Sequence, residues 1–173
     1  MNLGRVVLIV LGAVLLQVVL ARYMVGGRMA FDLVLVGVVY VSLQTGPVGG
    51  MLAGTLGGLL HDLAAGGLIG VGGLLKTVMG CLTGVLGTQF VVAKPYARAL
   101  IVAAATLVHA LMTVGLQSVI GQRWPGVAWS LVAEEILLNA LAGYVAFYAS
   151  DSLSGSMARG RSRQRSSWGR RQW

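Results

Sequence analysis

The sequence predicts an all-α integral membrane protein, a bundle of six transmembrane helices, and three observations carry that expectation. First, 57% of the 173 residues are hydrophobic and 10% are charged. Soluble domains carry about 25% charged residues, so this composition cannot clothe a water-facing surface. Second, the mean hydropathy is +0.83, which excludes disorder over most of the length. Third, the charges are spaced so that uncharged runs of roughly 20 residues lie between them, the length an apolar helix needs to cross a bilayer. Glycine contributes 26 residues without a G-X-Y period, which rules out a collagen-like helix, and the lone Cys81 permits no intrachain disulfide and no cysteine cluster for metal or redox chemistry.

The spans follow from the charges and the helix-stopping residues. Residues 6–21, between Arg5 and Arg22, make the first. Residues 33–60 then run without a charge, about 42 Å as one helix and too long for a single crossing. The break falls at Gln44-Thr45-Gly46-Pro47, because proline is best tolerated at a first helical position. That gives a second span near 29–45 and a third over 47–66, joined by a very short turn. Gly66-Gly67 ends the third. Spans at about 69–92, 99–120 and 127–150 follow, separated by Lys94-Pro95 and by Gly121-Gln-Arg-Trp-Pro-Gly126.

The net charge of +8 divides into +3 over residues 1–150 and +5 over 151–173. Residues 151–173, with Arg159, Arg161, Arg163, Arg165, Arg170 and Arg171, are Ser- and Gly-rich and expected to be a disordered basic tail. A basic run directly after a membrane helix reads as a cytoplasmic topology signal in contact with anionic lipid rather than as a nucleic-acid arm. An even number of spans puts both termini on the cytoplasmic side. Arg5, Lys94, Arg98 and the six tail arginines then lie inside, against Arg22, Arg28 and Arg123 outside, with Trp124 and Trp129 at the outer headgroup level.

Within the spans, Gly46, Gly50, Gly54 and Gly58 recur every four residues and clear one helix face of side chains; Gly73, Thr77, Gly80 and Gly84 form a comparable stripe on the next helix. Lipid supplies no hydrophobic drive for helix association, so backbones that approach closely gain van der Waals contact instead. Together with Gly66 and Gly70 these glycines are the expected helix-packing residues. The two stripes either pack on one another or form a docking surface.

The intramembrane polar residues are Asp32, Asp62, Lys76, Glu134, Glu135 and Asn139. A charge at membrane depth needs a partner, and Asp62 and Lys76 flank the Gly66-Gly67 turn at similar depth, so a contact between them is expected; the alternative is that Asp62 caps the turn or the following helix. Glu134-Glu135 lie about 100° apart on one helix and are expected to bond locally, to meet Arg123, or to meet a partner protein. Asn139 and Gln117 are read as interhelical hydrogen-bonders. His61 and His109 have no second ligand at metal spacing. No nucleophile elbow, zinc-protease, Walker or dinucleotide motif occurs, and Ser42, Ser118 and Ser130 have no histidine at an informative spacing. The chain reads as a non-enzyme without cofactor or metal.

The run from Gly54 to Val71 has the form G-x-x-x-G-x-x-x-D-x-x-x-G-x-x-x-G-V, with Asp62 at its centre. It resembles the central signature of the rod shape-determining protein MreD family. Phe31-Asp32-Leu33-Val34-Leu35 through Tyr40 is similar to that family's second helix, with Phe31 where the family often has proline. The resemblance covers essentially the whole chain. It implies a scaffold subunit of the bacterial elongation machinery for cell shape and lateral peptidoglycan synthesis, in the cytoplasmic membrane, binding MreC and through it RodA, a class B penicillin-binding protein and the MreB filament. It also implies a fold similar to the S components of energy-coupling factor transporters. That fold leaves a second functional expectation, a vitamin-like ligand held in a polar cavity near Asp32, Asp62, Lys76 and Glu134.

Overall fold

The computed structural model describes residues 2–23, 31–66, 70–90, 94–121 and 126–168. Among these the chain forms five α-helices: α1 (Leu3–Tyr23), α2 (Leu33–Ala65), α3 (Val71–Gln89), α4 (Pro95–Gly121) and α5 (Trp129–Trp168). All five are long and apolar enough to cross a membrane, α5 over Trp129–Ser152. The chain is therefore all-helical and compatible with a multi-pass membrane protein. The expected second and third spans appear here as α2. Met29, Arg28, Arg123, Trp124, Arg170 and Arg171 lie outside the described residues.

α2 is not straight. Gly46 sits at φ 80° and ψ −171°, directly before Pro47. That backbone conformation is open to glycine and strained for residues with a Cβ, and proline can start the next helical segment because its missing N–H would lack an intrahelical acceptor anyway. The two halves fold back on each other. A Cβ placed on Gly57 would lie 3.0 Å from Val34 and 3.7 Å from Val38, whereas Val34 and Gly57 would be about 35 Å apart along an unbroken helix.

The first half of α2 is the centre of the bundle. Val34, Leu35, Val36, Val38, Val39, Val41 and Ser42 are buried, and a helix apolar on every side is one enclosed on every side. Val38 and Val41 pack with Val6 and Val10 of α1 and with Ala53 of the second half. Leu35, Val36 and Val39 pack with Met79 of α3, Val102 and Ala105 of α4 and Phe147 of α5.

The second half of α2 and α3 are mated through their glycines. A methyl on Gly54 would lie 2.7 Å from Thr77 Cα, one on Gly58 2.5 Å from Gly73 Cα, and one on Gly84 2.6 Å from Pro47 Cα; Gly50 and Gly80 meet backbone to backbone. Both stripes are thus consumed internally; a Thr55–Thr77 hydroxyl bond of 2.8 Å runs between the same two segments, and a Ser42–Thr83 bond of 2.8 Å ties the first half of α2 to α3. Gly66 and Gly70 differ from their expected packing role. A Cβ on either would meet nothing within 4 Å. Their φ values of 67° and 100° place them as turn residues that end α2 and open α3.

α5 continues as helix past its apolar span to Trp168, through the segment expected to be a disordered tail. Nucleation is the costly step of helix formation, and these residues extend a helix that the bundle has already nucleated.

Candidate functional site

A polar cluster sits where α2 begins. Gln17 lies about 9 Å short of the Tyr23 end of α1, and its side chain clamps the start of α2: Nε2 donates to Phe31 O at 2.9 Å and Oε1 accepts from Leu33 N at 2.8 Å. α2 therefore starts below the rim of the bundle. The first N–H groups of a helix have no intrahelical carbonyl to bond, and where they are buried they need other protein acceptors. Gln17 takes Leu33 N, the Asp32 carboxylate takes Leu35 N at 2.9 Å, and Asn139 Oδ1 of α5 takes Asp32 N at 2.9 Å. Asn139 Nδ2 in turn donates to Thr106 Oγ1 of α4 at 3.2 Å.

The charge of Asp32 is met by α3. Lys76 Nζ lies 2.7 Å from Asp32 Oδ2, with both side chains almost fully enclosed. Lys76 Nζ also lies 3.3 Å from His61 Nδ1. One ion pair with its hydrogen bonds thus ties together all five helices: Gln17, Asp32, His61, Lys76, Thr106 and Asn139.

This arrangement corrects the expected Asp62–Lys76 contact. Asp62 Oδ2 accepts from Gly70 N at 2.9 Å and Gly73 N at 3.2 Å, so it caps α3 from the preceding helix. The carboxylate that is local in sequence satisfies the local N–H groups, and the one brought in by the fold-back at Gly46 takes the lysine. Among the other predicted residues, Asn139 is buried and bridges helices, Gln117 and Glu134 are exposed, and Glu135 is half-buried. His109 Nε2 is buried with no hydrogen-bond partner among the described residues. Ser42 is committed to Val38 O, Val39 O and Thr83, and a serine so engaged is held by backbone carbonyls and a hydroxyl rather than by a base.

The opposite end carries a second, smaller set of contacts. Arg98 lies 5.3 Å above the Phe147 ring and 3.1 Å from Asp151, and Tyr40 bonds Ser150 at 2.7 Å. These lock α4 and the first half of α2 to α5.

Between α1 and α5 runs an apolar groove of about 680 Å³. Its floor is Leu33, Val36, Gly37 and Tyr40 of α2, and its walls are Ile9, Ala13, Leu16 and Leu20 on one side and Leu138, Leu141, Ala142, Val145 and Ala146 on the other. Among the described residues α1 packs on α2 alone, so the groove separates it from α5. The sequence points to the first two helices as candidate partner faces, but not to a groove between α1 and α5, because nothing local in the chain relates those two helices.

No protein-family model, curated protein or solved structure matches the chain. Among the described residues the fold and site define an all-helical protein with five helices able to cross a membrane, a buried polar tie at one end and an apolar groove along one side.

Proposed function

We propose that the chain is a non-enzymatic membrane scaffold of the MreD type, a subunit of the bacterial cell-elongation complex that holds partner membrane proteins through its membrane-level faces. In this reading α1, each half of α2, α3, α4 and α5 cross the cytoplasmic membrane, six crossings in all. Arg5, Lys94, Arg98 and the tail arginines then face the cytoplasm and Trp129 the outer interface, in keeping with the positive-inside rule.

The α1–α5 groove is the observation that carries the proposal. The glycine stripes are spent on each other, which leaves the groove as a membrane-level surface with room for another helix. Its floor and walls include Gly37, Ala13, Ala142 and Ala146, small residues of the kind that admit close backbone approach in lipid. A ligand-binding role would instead draw on the polar groups, and Asp32, Asp62 and Lys76 are engaged by protein partners, which supports scaffolding over ligand capture. MreC is the proposed direct partner, with RodA, the class B penicillin-binding protein and the MreB filament reached through it.

The test is affinity purification of the tagged full chain from native membranes. Recovery with cell-wall synthesis proteins is the expected result. Recovery with the ATPase module of a vitamin transporter and without those proteins overturns the proposal.

A further inference from the structure

We propose that His61, Lys76 and Asp32 form an acid-sensitive latch that fastens the start of α2 to α3. The 3.3 Å contact between Lys76 Nζ and His61 Nδ1 sets the requirement. An ammonium group has three donors and no acceptor, so the imidazole nitrogen it meets must be the unprotonated one. His61 therefore holds this contact only as the neutral ring with its proton on Nε2. Protonating Nδ1 removes the acceptor and sets a second cation beside the first.

Burial makes that exchange consequential. Lys76 is 2% exposed, so water does not replace the lost acceptor or screen the repulsion, and an ion pair enclosed in this way depends on every hydrogen bond around it. Histidine is the side chain whose ordinary titration falls between about pH 5 and 8, and His61 is half-buried. The other ionisable groups around it are Asp32 and Asp62 of α2, Lys76 of α3 and His109 of α4, and Glu135 of α5 faces the same Asp32–Lys76 pair. Asp62 is already committed to the N–H groups of Gly70 and Gly73, and Asp32 to Lys76 and Leu35 N. Asp32 and Asp62 are thus already engaged, and an added charge on His61 sits directly against the Lys76 ammonium.

Releasing the lysine frees the carboxylate that caps α2. Asp32 sits between Phe31 and Leu33, both of which line the α1–α5 groove, so the latch controls the order of one end of that groove. Stability contributed by the neutral ring is present at neutral pH and is lost on acidification. The latch holds whatever the chain associates with; only its exposure to the outer face rests on the orientation proposed above.

The chain has two histidines, so ¹⁵N-histidine spectra of the full chain in lipid nanodiscs resolve both rings. The expected spectrum at about pH 7.5 has one neutral ring protonated at Nε2, absent in His61→Gln. Thermal unfolding of the wild type should fall by several degrees between about pH 7.5 and 5.5. His61→Gln, whose amide oxygen accepts from Lys76 at any pH, should lose that dependence, and His109→Gln should keep it. A His61 ring protonated at Nδ1 near neutral pH overturns the proposal. So does a His61→Gln variant as acid-sensitive as the wild type, or a dependence that disappears with His109 instead.

Discussion

Asp32 at the first turn of α2 and Lys76 on α3 hold each other at 2.7 Å, with 9% and 2% of their side chains exposed. Removing two charges from solvent costs about as much as their attraction returns, so such a pair fixes a packing arrangement more than it adds stability. Breaking one half is a different matter. Lys76→Met leaves an uncompensated carboxylate and should cost about 3–5 kcal/mol. Lys76→Met with Asp32→Leu should recover most of that, while Lys76→Met with Asp62→Asn should be additive, because Asp62 touches α3 through its backbone N–H groups and not through Lys76. Thermal unfolding of the purified variants reads all three.

Asp62 should behave as a helix cap. Asp62→Ala removes the acceptor for Gly70 N and Gly73 N and should cost about 1 kcal/mol, within the roughly 0.5–2 kcal/mol range of lost caps. Asp62→Asn retains an acceptor oxygen and should cost less. A pairing with Lys76 would reverse the order of interest, making the loss of charge, and not the loss of the oxygen, the damaging step. Unfolding midpoints of the two variants distinguish these outcomes.

The parts of the fold legible in the sequence were those in which spacing alone dictates geometry. Glycines every fourth residue must share a helix face, and Gly46–Pro47 must interrupt a run too long for one crossing; the mated stripes and the fold-back at Gly46 follow. The partner of Lys76 was not legible in the same way. Asp32 and Asp62 both reach the end of the bundle where Lys76 lies, and nearness along the chain favours Asp62. What decides between them is that α2 starts below the rim, beside Gln17, so that Asp32 is buried against Lys76 of α3 and Asn139 of α5 while Asp62 finds local N–H donors. An acid directly ahead of an uninterrupted apolar run was the available signal, since a helix that begins at membrane depth needs a capping acceptor there.

The glycine seam should tolerate no added carbon on its inner face. Gly54→Ala places a methyl against the Lys76 and Thr77 backbone, and backbone, unlike a side-chain tip, cannot swing away. Overpacking in a filled core costs about 1–3 kcal/mol, and Gly54→Ala should fall at the upper end. Gly115→Ala on α4, where a Cβ meets nothing within 4 Å, is the matched control. There the helix gains up to about 1 kcal/mol from alanine's better propensity. Opposite signs at the two sites, measured as shifts in unfolding midpoint, are the expected outcome.

Filling the groove should separate association from folding. Ala146 lines its α5 wall and is exposed, so Ala146→Trp occupies space that no side chain of the bundle uses. Stability should change by no more than about 0.5 kcal/mol, as for other surface substitutions. Recovery of co-purified membrane partners should fall about tenfold, equivalent to roughly 1.4 kcal/mol of binding. Leu111→Trp adds the same ring to α4, at an exposed site away from the groove, and should leave recovery unchanged. Equal losses at both sites would mean that bulk anywhere on the lipid-facing surface disturbs assembly. Undiminished recovery with Ala146→Trp would move the partner to another face, because a tryptophan and a packed helix cannot share that volume.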